Sequence, residues 1–243
     1  MPNHAEILLS TGGEVSDADF SGSDLRSLLG SPPEQPWVFR CCDFTQTDLR
    51  GASLGGAVFD RCTLTDARLA RADLDSTSWS TGGAAGADFT DADCCDVGFD
   101  GVDLANTRWL GALLTDVSWT GCRLVGARLS GCRGLDYRFE GCNLTLARLE
   151  GVSLRGQQLA GLRLDEANLA GADLRDTTWR ESRLRDAVLQ DAEFGSADLR
   201  GADLRGADLG DLTLREAAPL AGAVISSEQA TVLLATLNIQ VSG

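Results

Sequence analysis

Residues 197–210 read ADLRGADLRGADLG, three units in phase that place Leu199, Leu204 and Leu209 five residues apart. Counted outward from there, every fifth position from Phe39 to Leu214 gives 36 sites, and 33 of them are Leu, Phe or Trp. These three types number 50 among 243 residues, so about seven would fall there by chance. The exceptions are Ala84, Cys94 and Gly134. A period of five is neither the 3.6 of a helix nor the 2 of an ordinary strand, which excludes a helical bundle and a flat sheet. Two residues before each large position lies a mostly small one, as at Ala52, Ala57, Cys62, Ala67 and Ala72. Side chains two apart in extended backbone point the same way, so small and large both face inward and the polar residue between them faces out. Asp43, Asp48, Asp73, Asp88, Asp93 and Asp103 hold such outward places, and Gly often follows at the corner.

Sorting the large positions into four columns tests a longer repeat. One column runs Phe39, Phe59, Trp79, Phe99, Trp119, Phe139, Leu159, Trp179, Leu199, whereas the other three are nearly all Leu. Positions i and i+20 therefore stack, with rings laddered at about 4.8 Å. Units such as Ala72-Asp73-Leu74 and Ala202-Asp203-Leu204 resemble the A(D/N)Lxx unit of the pentapeptide-repeat family. The resemblance implies an all-β fold, a right-handed quadrilateral parallel β-helix with four five-residue units in each coil. From Phe39 to Leu214 that makes nearly nine coils, a rod of about 42 Å, with ends that need caps.

The expected organisation is an N-terminal cap at 1–17, first repeat units at 18–26, a proline-containing loop at 27–38, the β-helix at 39–215, and a C-terminal helix and tail at 216–243. Ala18-Asp19-Phe20 and Ser23-Asp24-Leu25 are one residue out of phase with the rest, and Pro32, Pro33 and Pro36 make the following stretch a projecting loop. Two irregularities keep the phase. One spans Ser80 to Gly86 around Ala84; the other spans Gly131 to Arg138, where Gly134 replaces a large residue and Tyr137 a small one. Each reads either as a packing adjustment or as a bulge that touches a partner. Beyond the repeat, Ser226 and Gln229 form a capping box, Ala230, Leu233, Leu234 and Leu237 form an apolar stripe, and Asn238 suits a left-handed helix end.

Composition narrows the functions. The chain has 21 Arg, no Lys, 36 acids and a net charge of −15, so nucleic acid is excluded as a direct ligand. A single His, at position 4, removes most hydrolytic chemistry and His-ligated metal sites, so no enzyme activity, metal or cofactor is expected. The eight Cys are expected to be mostly reduced and show no CxxC spacing for zinc; Cys42, Cys62, Cys122 and Cys142 are expected as small inward fillers, and the neighbours Cys94 and Cys95 point opposite ways. With neither an apolar run long enough to span a membrane nor a secretory signal, a cytoplasmic protein is expected.

The resemblance implies a partner. Family members that act on topoisomerases imitate DNA through shape and negative charge, and a C-terminal helix joins two subunits end to end. The expected function is therefore engagement of a bacterial type II topoisomerase, DNA gyrase or topoisomerase IV, with protection against poisons in antibiotic resistance or self-immunity. A scaffold binding another protein is the alternative. Charge density falls short of DNA, which carries roughly 25 negative charges in such a length, and Arg123, Arg128, Arg133, Arg138 and Arg148 interrupt the acidic surface, so mimicry is partial. Partner-binding candidates are Asp43, Asp48, Asp73, Asp88, Asp93, Asp103, Pro32, Pro33, Glu34, Leu135 and Asp136. Dimer-interface candidates are Ala230, Leu233, Leu234, Leu237 and Ile239; the alternative for that helix is a cap in a monomer.

Overall fold

The computed structural model describes residue 9, residues 13–212, 217–236 and 238–240. They form parallel β-solenoid coils in two compact units, Met1–Cys142 and Asn143–Gly243. In the first unit a seven-stranded parallel sheet runs in chain order: β1 (Glu14–Ser16), β2 (Val38–Arg40), β3 (Val58–Asp60), β4 (Ser78–Ser80), β5 (Gly98–Asp100), β6 (Ser118–Thr120) and β7 (Arg138–Glu140). This sheet is side 1 of each coil. Single bridges make the other three: side 2 carries Asp19, Asp43, Thr63, Gly83, Asp103 and Arg123; side 3 carries Asp24, Asp48, Arg68, Asp88, Arg108 and Arg128; side 4 carries Ser53, Asp73, Asp93, Leu113 and Arg133. From β2 onward each position i pairs with i+20, as Phe39 with Phe59 and Phe59 with Trp79, so four five-residue units do close one coil.

The corners favour residues of positive φ two places after the large side chain, such as Gln46, Asp66 and Gly86 on one edge. Inside, the large side chains of successive coils lie on one another. Phe39, Phe59, Trp79, Phe99, Trp119 and Phe139 stack at centroid separations of 4.2–6.1 Å. Opposite them Phe89 and Trp109 lie parallel at 4.1 Å and meet the first ladder edge-on. Offset and edge contacts of this kind add roughly 1 kcal/mol per pair beyond area burial. Cys42, Cys62, Cys122 and Cys142 fill small inward places, donating Sγ–H to Val15, Phe39, Phe99 and Trp119 carbonyls of the preceding coil at 3.2–3.4 Å. All eight cysteines are free thiols, and burial pushes the Cys132 thiol up to about 11.

The ladder reaches back into the stretch assigned to the N-terminal cap, because β1 pairs with β2 and Val15 is buried beneath Phe39. Here the step lengthens to i+24, both for Val15 with Phe39 and for Asp19 with Asp43, so the first coil holds four extra residues. Ser80 to Gly86 does not bulge: Ala84 is fully buried and its N–H still reaches the Asp103 carbonyl at 2.7 Å.

In the second unit the bridges follow the same count, with Asn143, Arg163, Arg183, Asp203 and Val224 in one row. The last step, from Asp203 to Val224, is longer than the others by one residue. The ladder thus continues past 215 to Val224, with Leu220 of the 3-10 turn Ala218–Leu220 buried inside. Helix α1 (Ser227–Ala235) follows, and Ser226 and Gln229 form the expected capping box. Asn238 takes φ 58°, the expected left-handed end.

Candidate partner-binding edge

The proline loop emerges where side 4 turns into side 1. Leu28 and Leu29 donate back to the Leu25 carbonyl at 3.1 and 2.9 Å, a single helical turn that carries Leu29 into the core with no exposed surface. Its carbonyl accepts from Ser53 N–H at 2.6 Å, so Leu29 takes the side 4 place although it falls outside the five-residue count. The chain then leaves through Gly30 to Pro36. It returns at Trp37, which is buried and stacked on Phe39 at 5.6 Å. Pro32 and Glu34 are exposed and Pro33 is half-buried. The loop is therefore anchored at both ends by buried side chains, and only its middle projects.

The Gly131 to Arg138 irregularity opens on that same edge, five coils on. Gly134 adopts φ 120° against the adjoining coil, where a Cβ would lie 2.7 Å from the Leu114 carbonyl carbon. With no side chain there, the phenol ring of Tyr137 fills the space from the neighbouring small place, edge-on to Trp119 and Phe139 at 6.2 and 6.0 Å. Leu135 is left 66% exposed, while its carbonyl still accepts from Asp116 N–H at 3.1 Å.

Between the two loops the edge is acidic. Asp75, Asp96, Asp116 and Asp136 are exposed, the last three at successive left-handed corners with φ 53–63° and thus about 4.8 Å apart. Asp73 and Asp93, both exposed, bridge each other on adjoining side 4. The structure thus brings Pro32, Pro33, Glu34, Asp73, Asp93, Leu135 and Asp136 to one region. Asp43 and Asp103 lie on side 2, and Asp48 and Asp88 on side 3.

Six of these aspartates also close their corners: Oδ1 of Asp43, Asp48, Asp73, Asp88, Asp93 and Asp103 accepts from the backbone N–H two residues on, at 2.8–3.3 Å. Asp48, with its side chain 4% exposed, is also gripped by Arg50, Arg68 and Arg26 at 2.7, 3.3 and 3.5 Å. The Arg50 hydrogen bond holds its carboxyl below the usual range. Asp75, Asp96 and Asp116 were not among the expected contacts. For the two corner residues the signal is the column at 76, 96, 116 and 136, which turns from Ser to three consecutive Asp. Arg123, Arg128, Arg133 and Arg138 occupy four different sides of one coil and so form a girdle around it.

Residues 40–78, 98–133, 138–176, 167–206 and 182–217 match pentapeptide repeats, in eight copies. The chain belongs to the pentapeptide-repeat family. Solved structures align along it at low identity. They include a trypsin-treated form of QnrB1, a plasmid-mediated fluoroquinolone resistance protein, at 19% identity and TM-score 0.45, over 96% of this chain and 100% of that one. HetL from the cyanobacterium Nostoc sp., involved in heterocyst differentiation regulation, aligns at 26% identity and TM-score 0.36, over 93% and 98%. A pentapeptide repeat protein of the Arabidopsis thaliana thylakoid lumen aligns at 22% identity and TM-score 0.24, over 64% and 76%. Comparison with curated proteins gives no match.

The second pentapeptide-repeat unit closes on α1. Gln229 Oε1 accepts from Ser226 N–H at 2.7 Å, and its Nε2 donates to the Leu204 and Ala207 carbonyls at 2.8 and 2.7 Å. One amide thus caps the helix and ties it to the coil. Leu233, expected at a dimer interface, is buried within the protomer, and Ala230 and Leu234 are half-buried. Outward apolar surface comes from Ile239, 47% exposed, and from Val232, 63% exposed and not among the expected residues. Leu237 lies outside the described residues. No helix among the described residues is long and apolar enough to cross a membrane.

Proposed function

We propose that this pentapeptide-repeat protein is a binding protein, not an enzyme, that engages DNA gyrase or topoisomerase IV and protects it from poisons such as fluoroquinolones or peptide toxins. The observation that carries this reading is the convergence of both loops and the exposed aspartates on one edge of the first unit. A topoisomerase must present a basic surface to DNA, and an acidic edge is complementary to it. Five aspartates elsewhere are neutralised: Asp24, Asp48, Asp173, Asp198 and Asp203 are forked by arginines two residues on. The edge spaces its corner carboxylates at about 4.8 Å, against about one charge per 3.4 Å on a DNA strand. Mimicry is thus local to the edge, and the loops supply contacts that DNA lacks.

Dimerisation through α1 and the chain end around Ile239 belongs to the same proposal. The test is a gyrase cleavage assay in which a poison traps broken DNA while the purified protein is titrated in. Falling cleavage with supercoiling retained is the expected result. No change in either at about tenfold molar excess over gyrase refutes the proposal and leaves a scaffold for another protein.

A further inference from the structure

At the neighbouring corner, between sides 3 and 4 of the first unit, a recess of about 300 Å³ is lined by Arg26, Arg50, Gly51 and Arg71. Two of these guanidiniums are already fixed in orientation. Arg26 donates Nε and Nη2 to Asp24 at 2.9 and 2.7 Å, and Arg50 donates the same pair to Asp48 at 2.8 and 2.7 Å. A guanidinium has five N–H groups, so each fork leaves three donors on the far edge with the plane already set. Arg71 enters from a left-handed corner at φ 60°, and the missing side chain of Gly51, at φ 67°, keeps the floor open. Arg68 adds a fourth cation beside Asp48. Four arginines thus face two carboxylates, in a chain whose net charge is −15.

The second unit supplies an internal comparison. A recess of the same volume, about 300 Å³, is lined there by Arg185, Arg205, Gly206 and Asp186. Its two arginines converge on one aspartate, Asp203, at 2.6 and 2.7 Å, and Arg205 forks it as Arg50 forks Asp48. The fork is therefore a general device of this coil, and what sets the first recess apart is a lining with a third arginine and no acid. The difference raises the local charge by two and leaves the first lining without a competing carboxylate acceptor.

We propose that the Arg26, Arg50 and Arg71 recess binds a phosphoryl oxyanion on a small molecule. Preset planar donors around an open floor suit a tetrahedral dianion, which accepts paired hydrogen bonds from several guanidiniums at once. The test is isothermal titration of the full chain with inorganic phosphate and, separately, pyrophosphate, at ionic strength held constant with sodium chloride. Expected is one saturable site, tighter for whichever probe matches the natural ligand, and weakened about tenfold or more in Arg71→Gln. Circular dichroism of the variant establishes that it is folded. The proposal is overturned by the absence of saturable heat with either probe up to about 10 mM, by heat that sodium chloride alone reproduces, or by unchanged affinity in folded Arg71→Gln. Duplex DNA titrated alongside is expected to give no heat, and a DNA site lost in Arg71→Gln would overturn the small-molecule assignment.

Discussion

A buried indole needs an acceptor for its Nε1–H, and the pentapeptide coil supplies one from the small inward place two residues upstream. Thr77, Thr107 and Thr177 stand there and accept from Trp79, Trp109 and Trp179 at 2.9, 2.8 and 2.7 Å. Trp119 has Val117 in that place, and its Nε1 has no partner. An unsatisfied buried donor costs about 1–3 kcal/mol, and valine and threonine have nearly the same shape. Val117→Thr is therefore expected to stabilise the protein by about 1 kcal/mol. The reverse change, Thr107→Val, also removes a bond to the Leu104 carbonyl and is expected to cost about 1–3 kcal/mol. Denaturant unfolding followed by tryptophan fluorescence measures both; a destabilised Val117→Thr would disprove the pairing argument.

Among the elements, the aspartate–arginine fork responds to acid. Its hydrogen bonds from arginine lower the Asp24 carboxyl to about 2 and hold Asp48, Asp173, Asp198 and Asp203 below the ordinary range as well. A carboxylate with a depressed folded pKa adds stability that is fully present above its unfolded value, near about 3.9, and is lost as pH falls through the folded value. The melting temperature should accordingly stay level between about pH 8 and pH 5 and fall steeply below about pH 4. A midpoint that dropped near neutrality would point to other groups. The fork was not legible beforehand as a charge sink, because a composition count cannot show that the Arg200 side chain turns back onto Asp198. The coil itself was legible, since the five-residue period and the aromatic column recurring every fourth unit mark a 20-residue repeat whose Ala-Asp-Leu units resemble those of the pentapeptide-repeat family. The capping box was legible too. That Leu233 is buried within its own protomer was not, for an apolar stripe on a helix does not say what covers it.

For the molecule as a whole, location on the coil separates the aspartates proposed to meet a partner from the rest. Asn143 and Asn168 hold the same place in their units as Asp43 and Asp103 do in theirs, and make the same bond to the N–H two residues on, at 3.1 and 3.0 Å. Aspartate to asparagine is thus compatible with the corner. The combined variant Asp96→Asn, Asp116→Asn and Asp136→Asn should raise the amount needed for topoisomerase protection by about tenfold or more, while Asp43→Asn with Asp103→Asn leaves it unchanged. Equal effects from the two sets would refute the edge assignment. Val232→Glu with Ile239→Glu should yield monomers in sedimentation without unseating the cap; an unchanged dimer would place the contact elsewhere.

The edge was not legible from the repeat alone, because its position depends on where the four extra residues of the first coil leave, which only the burial of Leu29 and Trp37 fixes. Since the ladder resumes in register after those residues, chain length at this point is free to vary over evolutionary time without disturbing any neighbouring strand. Lengthening such a surface loop carries only a small entropic cost, about 0.6 kcal/mol per doubling. Two lineages sharing the same coil could therefore diverge in the target they recognise through insertions here alone, and a foreign peptide spliced between Ser31 and Gln35 would be displayed on a frame that does not notice it.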